Sequence, residues 1–466
     1  MTFWNTENLK TTLGGTWLAK TEETVTGLCT DSRTLKPGQA FLALKGDTFD
    51  GHTMLGAAAK AGSPMAIIDS VERASVLPPG MAVLKVADTR RSLLRLAAAY
   101  RKTLDRTRVI AVGGSNGKTT TVRLITAALS SAMKGTASQK SFNNDIGVPL
   151  TILSASPTDQ YLICEVGTNA PGEISTLAAI VQPDIGVITS IGREHLEKLG
   201  SLRGVAREEA SLLEHIRPGG AGFISADALE LREVLNTLSS RPAALLSFGF
   251  DHDSDVGIAR VEQSLAGMTF TLNDRAEFKL PLLGRHNAAN AAAAIAVARR
   301  MGLPDAAIAE GLATAKGESM RLEVSHHSGI CIINDAYNAN PDSMRASLET
   351  FDAVAKHADR RIVVLGDMLE LGEYAAASHR EVVEAVAARP HIAVAVLVGP
   401  QMKAAASPLS KTGVKVIFGD DLNEAFAAQV AKTLQPGDAV LLKGSRRMRL
   451  ERLIPAVKAR PVMAHA

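Results

Sequence analysis

The sequence predicts an α/β protein of three domains: a small α/β module, a central doubly wound sheet of the P-loop ATPase type, and a C-terminal Rossmann-like domain. Three observations carry that reading: a length of 466 residues, apolar strand-like runs that alternate with helical stretches, and one glycine-rich turn set between such a strand and a helix. At roughly 150 residues per domain, the length argues for about three units. With 46% hydrophobic and 21% charged residues, the chain can fill several cores, which excludes intrinsic disorder.

Short apolar runs at 40–44 (AFLAL), 65–69 (MAIID) and 82–86 (AVLKV) alternate with Gly- and Ala-rich stretches, as in a small α/β unit. The stretch 89–104 sets Leu93, Leu94, Ala97 and Tyr100 at helical spacing opposite Arg and Lys, and a β-rich run follows. The first domain is therefore drawn at 1–106. The central domain, 107–316, places buried strands at 109–113, 161–167, 185–192 and 219–226 between helical stretches, the pattern of a mostly parallel sheet. An Ala-dominated helix is expected at 285–301. The third domain, 317–466, repeats strand and helix with strands at 331–335, 361–367, 393–399, 414–419 and 438–444. The chain shows no tandem repeat, low-complexity tract or long linker.

Lys and Arg number 51 against 48 Asp and Glu, so a net charge of +3 supplies no basic field for nucleic acid. The longest apolar runs, such as 392–398, fall far short of the ~20 residues a bilayer requires, and the N-terminus lacks a basic start and an apolar core. A cytoplasmic enzyme with no membrane insertion is expected. Cys29, Cys164 and Cys331 are widely spaced and form no CxxC pair, which argues against a disulfide framework or structural zinc and for small buried hydrophobes.

The chemistry concentrates at 109–121, VIAVGGSNGKTTT. A buried strand leads into Gly113, Gly114, Ser115, Asn116 and Gly117, and Lys118, Thr119 and Thr120 open a helix. Backbone N–H groups and a helix start can then face phosphates, Lys118 supplies a point charge, and the Thr119 hydroxyl can hold Mg²⁺. Val112 stands where the strict GxxxxGK[ST] pattern has its first Gly. No NKxD or LSGGQ motif occurs, and the following strand ends in Glu165 rather than Asp, against a GTPase or ABC-type protein. Glu165 ends a buried strand at the edge where open α/β sheets bind ligands, and with Thr119 it offers hard oxygens to Mg²⁺.

This loop and its surroundings resemble the Mur ligases, the ATP-dependent amide-bond-forming enzymes of peptidoglycan precursor synthesis. Their loop typically reads TGTNGKTT; here it is GGSNGKTT, with Gly113 at the usual Thr position. Further similar segments run in family order over essentially the whole chain: 30–52, 142–153, 163–174, 194–206, 284–294, 320–324, 333–344, 365–373 and 441–446. The forms NNDIGVP and DAYNANPDSM resemble the branch that adds D-alanyl-D-alanine to UDP-MurNAc-tripeptide. The DNPR motif by which another branch selects its diamino acid is absent. Other members of the superfamily, of the diamino-acid-adding, folylpolyglutamate-synthase or cyanophycin-synthetase type, are alternatives. So is a nucleotide-binding regulatory protein without turnover.

The resemblance implies an ADP-forming ligase whose acyl phosphate is attacked by the dipeptide amine, acting as a monomer on small-molecule substrates in cell-wall synthesis. It implies Lys118 and Arg321 on the ATP phosphates, Arg321 alternatively forming a surface ion pair with Glu318 or Glu323. Thr119, Glu165 and His195 would hold the metal, His195 being by itself as well explained as a satisfied structural histidine. Asn287 and Asn290 lie three apart on one helical face; the resemblance places them at the adenine, with N-capping by Asn287 compatible. Asp335 would approach the ribose. Ser32 and Arg33 would meet the uridine diphosphate, and Asn143, Asn144 and Asp145 the muramyl peptide. Tyr337, Asn338 and Asn340 would read the acceptor dipeptide or order closure, and Lys443, Ser445 and Arg446 would take its carboxylate, a solvated basic face being the alternative for this run. One departure stands out. Where these ligases commonly carry a carbamylated lysine, this chain has Glu209, either supplying the negative group directly or lying solvent-facing. Contacts drawn from three domains imply closure on binding and an open form before it.

Overall fold

The computed structural model describes residues 3–20, 23–74, 77–139 and 141–459. Three sheets follow one another along the chain. The first runs in the order Thr16–Ala19, Ala82–Lys85, Met65–Ile68, Gln39–Leu42 and Gly27–Cys29, parallel except for its first strand.

The central sheet has nine strands: Ala276–Leu280, Gly267–Leu272, Val256–Ser264, Ala244–Gly249, Ala221–Ser225, Ile185–Ile188, Arg108–Gly113, Tyr161–Glu165 and Gly135–Ala137. From Val256–Ser264 to Gly135–Ala137 all neighbours are parallel. Such strands are covered on both faces, and Tyr161–Glu165 and Ala221–Ser225 are accordingly buried throughout. The antiparallel edge built by Val256–Ser264, Gly267–Leu272 and Ala276–Leu280 was not foreseen. Its strands bury one face, with Met268, Phe270, Leu272, Phe278 and Leu280 inside, and Asn273 and Asp274 reverse the chain at φ 49° and 54°, a conformation their short polar side chains tolerate.

The third sheet runs Glu323–His327, Ile330–Asn334, Asp438–Lys443, Arg360–Gly366, Ile392–Val398 and Lys415–Gly419, parallel except for the first pair. That hairpin edge was also missed. It turns on Ser328 and Gly329 at φ 50° and 76°, the two-residue geometry that suits strand twist.

Helix Thr89–Arg101, N-capped by the Asp88 side chain, ties the first sheet to the second. Its Leu93, Leu96, Ala97 and Tyr100 share one core with Val148, Ile152, Leu177 and Ala178 of the central helices, and the Tyr100 hydroxyl donates to the Ala155 carbonyl at 2.7 Å. The sequence break near Thr107 is thus no gap in packing. Buried Arg101 closes the joint, donating to the carbonyls of Val181 and Gln182 at 2.8 Å each and lying 3.6 Å from Asp184. The third domain meets the glycine-rich loop, Asn340 donating to Asn116 Oδ1 at 2.9 Å.

Replacing Arg101 with Met leaves the Val181 and Gln182 carbonyls without their donor, while Asp184 keeps Val109 N–H, Arg108 and Arg217. A loss of about 3 kcal/mol in global stability is expected, measurable by urea denaturation with the unfolding slope unchanged.

Candidate active site

Arg108–Gly113 and its neighbour Ile185–Ile188 send the chain away in opposite directions, and the crevice this leaves at the carboxyl edge of a parallel sheet is where such folds bind ligands. Both following loops meet there. Gly114 and Gly117 take φ 115° and 88°; a Cβ would stand 2.3 Å from Thr189 Oγ1 in the first case and 2.3 Å from Asn290 Oδ1 in the second. The loop is stapled by residues that sequence reading missed. Ser115 N–H donates to the Ser190 carbonyl (2.8 Å), Asn116 N–H to Ser190 Oγ (2.9 Å), Thr189 Oγ1 to the Asn116 carbonyl (2.7 Å), and Gly192 N–H to Ser115 Oγ (2.9 Å). Their only sequence signal was a Thr-Ser pair directly after a buried strand.

Lys118 opens helix Lys118–Ser130. Its ammonium donates to the carbonyls of Gly114 and Ser115 and lies 3.6 Å from Glu194 Oε1. Burial alone would lower its pKa, but Glu194, Glu209 and Glu165 around it hold it above the ordinary value. Burial in turn pushes all three carboxyls up, Glu209 to about 7, with Lys118 pulling each the other way. Glu194 was also unforeseen as a site residue.

Glu209 is wholly buried, so the solvent-facing alternative is wrong. Helix Leu202–Ala210 delivers two adjacent carboxylates to different tasks. Glu208 accepts from Gly172 and Ile174 N–H at the start of helix Glu173–Val181. Glu209 Oε2 accepts from Gly114 N–H at 2.6 Å and sits where a side chain on residue 113 would be, 2.8 Å from a Cβ placed there. The Gly at position 113 and the Glu at 209, both departures from the resembled pattern, fit each other sterically.

Two buried carboxylate oxygens, Glu165 Oε2 and Glu209 Oε1, have no hydrogen-bond partner among the described residues. Unpaired carboxylate oxygens suit a hard cation, and the Thr119 hydroxyl next to Glu165 could add a further oxygen. Among the described residues, no three of His, Cys, Asp and Glu could hold a metal ion by themselves, so Thr119 and phosphate oxygens would have to complete the shell. His195 instead faces Glu370 of the third domain, at 3.2 Å.

Arg321 points inward. Its guanidinium reaches Thr119 Oγ1 at 3.4 Å and stacks over Tyr337 at 4.3 Å, while Glu318 pairs with Arg123 and Glu323 accepts from Met320 N–H. The surface ion pair is therefore excluded. Asn287 does not cap its helix, whose N-cap is Gly284; it donates to the Leu283 carbonyl (2.6 Å) and accepts from Asn290 (2.8 Å). It lines a cleft with Thr120, Leu282, Lys316, Glu318 and Arg321 beside the loop.

Several other named residues are engaged within the protein. Asn143 donates to Glu165 Oε1 (3.0 Å), Asn144 accepts from Gly147 N–H (2.9 Å), and Asp145 pairs with Arg90 (2.7 Å). Asp335 accepts from Leu322 N–H (3.1 Å) and pairs with buried Lys443, which also ties the Asn338 carbonyl (2.6 Å). Ser445 accepts from Leu369 N–H (2.9 Å), and Arg446 pairs with Glu451. Tyr337 meets Ser141 (2.8 Å), and Asn340 donates to Asn116 Oδ1 (2.9 Å). Arg33 lies at the surface, paired with Asp31, whose carboxyl it holds down at about 2 through their hydrogen bond. Ser32 neighbours it on the same half-exposed loop.

A strand, a stapled glycine loop and a counter-charged lysine at the switch point of a parallel sheet define a phosphate-binding-loop enzyme. Three family models match in order: "Mur ligase family, catalytic domain" at 24–101, "Mur ligase middle domain" at 112–298, and "Mur ligase, glutamate ligase domain" at 320–446. The chain belongs to the Mur ligase family of ATP-dependent ligases.

It is 34% identical to the UDP-N-acetylmuramoyl-tripeptide–D-alanyl-D-alanine ligase of Bacillus subtilis, over 93% of both chains, and 33% identical to that of Escherichia coli, over 93% and 94%. Among solved structures it matches MurF from Acinetobacter baumannii at a TM-score of 0.86, 31% identity and 98% and 99% coverage. It also matches MurF from Thermotoga maritima in complex with ADP at 0.78, 25% identity and 93% and 97% coverage. A folylpolyglutamate synthase from Mycobacterium tuberculosis, at 19% identity, shares the fold alone.

Gly113→Ala in the native background forces a Cβ against Glu209 and should cost about 1–3 kcal/mol. In a Glu209→Ala background the same change should cost far less. The coupling, read from a double-mutant cycle of thermal denaturation midpoints, is expected to exceed about 1 kcal/mol.

Proposed function

We propose that the chain is the ligase that joins D-alanyl-D-alanine to UDP-MurNAc-tripeptide, forming the pentapeptide nucleotide of cell-wall synthesis with conversion of ATP to ADP. The observation that carries this reading is the meeting of third-domain residues with the nucleotide loop. Asn340 on Asn116, Arg321 on Thr119 and Tyr337 on Ser141 bring acceptor-side and ATP-side elements together. Similarity to ligases of that name over 93% of the chain supports the choice of substrates. The enzyme is proposed to work as a cytoplasmic monomer; no helix among the described residues is long and apolar enough to cross a membrane. The three units are drawn at 1–106, 107–316 and 317–466, the first reading the uridine nucleotide.

The loop N–H groups and the start of helix Lys118–Ser130 receive the phosphates, with Lys118 and Arg321 as cations. The tripeptide carboxylate attacks the γ-phosphorus, and the dipeptide amine then displaces phosphate from the acyl phosphate. Such chemistry depends on positioning and charge stabilisation. Asn143 holds Glu165 in place from one side, and Asn287 and Asn290 line the adenine side. Thr119 and Glu165, with Glu209 alongside, would hold Mg²⁺, which supplies charge neutralisation on the phosphates. His195, the remaining metal candidate, lies 3.2 Å from Glu370.

With all three substrates and Mg²⁺, the chain should release phosphate and form the pentapeptide nucleotide, and omission of either peptide substrate should abolish both. ATP hydrolysis indifferent to the dipeptide would refute the reading. Lys118→Met should lower turnover by about 10²–10³-fold, as for loss of a main charge-stabilising donor, while circular dichroism shows a folded protein.

A further inference from the structure

The contact between the third domain and the nucleotide loop is built around a residue to which the mechanism above gives no part. Arg193 lies between the loop-stapling Gly192 and the pair Glu194–His195. Its backbone N–H donates to Asp342 Oδ2 at 2.9 Å, and its guanidinium donates to Asp342 Oδ1 at 2.9 Å. The same guanidinium grips Glu381 with both arms, at 2.7 and 3.0 Å. Arg345 joins Glu381 from its other side, completing a neutral set of two cations and two anions. Hydrogen bonds to Glu381 and Asp342 raise the Arg193 pKa further, and the one to Arg193 holds Glu381 below the ordinary carboxylate value.

The partners belong to two helices of the third domain, Pro341–Val354 and Ala375–Ala387. Asp342 stands in the first turn of a helix whose N-cap, Asn340, donates to Asn116 of the nucleotide loop. Arg193 thus grips the same helix start that reads the loop. It also forms one wall of the cleft between the domains, with Glu194, His195, Asn340, Glu370 and Arg446 among the others. A bidentate arginine of this kind fixes orientation as well as adding binding energy.

We propose that Arg193 is a positioning residue whose bridge to Asp342 and Glu381 holds the third domain shut and thereby completes the pocket for the amine-bearing acceptor. The loop and Lys118 contacts with ATP survive without the bridge; the acceptor pocket, which has walls on both sides, and the Arg321 contact at Thr119 do not. The acceptor part of this inference rests on the function proposed above, but the closure part does not.

The test is Arg193→Met and, separately, Glu381→Gln, the second lying on a helix remote from the nucleotide loop, with Arg193→Lys as the conservative variant. Small-angle scattering of the full chain with ADP and D-alanyl-D-alanine should give a larger radius of gyration for Arg193→Met and Glu381→Gln than for the native protein. The KM for the dipeptide should rise about tenfold, the loss of one charge-assisted pair, with the melting temperature little changed. Arg193→Lys should recover part of both effects. Unchanged scattering and an unchanged dipeptide KM in both variants would overturn the proposal. If the native chain proved inactive with the dipeptide, scattering alone would decide closure: expansion would support the bridge and its absence would overturn it.

Discussion

One buried ammonium sets the terms for the rest of the structure. Lys118 is withdrawn from water at a sheet edge, and a lone charge there would cost several kcal/mol. Glu165, Glu194 and Glu209 make it tolerable, and each comes from a different stretch of chain: a strand end, a loop and a helix. The site therefore exists only when the central sheet, the loop after Ile185–Ile188 and helix Leu202–Ala210 are all in place. Among the described residues, Glu165 Oε2 and Glu209 Oε1 lack hydrogen bonds, and a Mg²⁺ ion held there would supply the missing partner.

The same economy appears at the loop. Glycines at 113, 114 and 117 are required by what surrounds them: the Glu209 carboxylate, the Thr189–Ser190 backbone and Asn290. A loop clasped on every side is held ready for phosphate, which lowers the reorganisation needed during phosphoryl transfer. Its outward face is then closed by the third domain through Asn340, Arg321 and Arg193.

Much of this was legible in the sequence, and the reasons differ by element. Short apolar runs bounded by Gly, such as 109–113 and 439–442, read as buried parallel strands when they alternate with helical stretches, so the two large sheets were readable. The antiparallel strands at 267–272 and 276–280 do alternate, with Met268, Phe270, Leu272, Phe278 and Leu280 buried and the residues between them less so, so their period-two signal was present but went unread; 323–327 lacks it and is marked mainly by the two-residue turn at Ser328–Gly329. The loop lysine, Thr119 and Glu165 were found because spacing encodes them. Thr189, Ser190, Arg193 and Glu194 were not, because their task is to meet partners distant in sequence. Arg193 pairs with Asp342 and Glu381, 149 and 188 residues away. Asn287 was placed in the first turn of its helix but not barred from the cap, since Gly284 rather than a polar side chain begins it.

The resemblance supplied the substrates, while geometry supplied the reason for one departure from it: Glu209 has room only because residue 113 has no side chain. The claim that unites fold, charge and chemistry is that this site passes a phosphoryl group to a carboxylate. The most direct measurement uses UDP-MurNAc-tripeptide labelled with ¹⁸O in the carboxylate that receives the dipeptide, turned over with unlabelled ATP and D-alanyl-D-alanine. One labelled oxygen should appear in each inorganic phosphate released. Phosphate carrying none of the label, alongside normal pentapeptide formation, would contradict it.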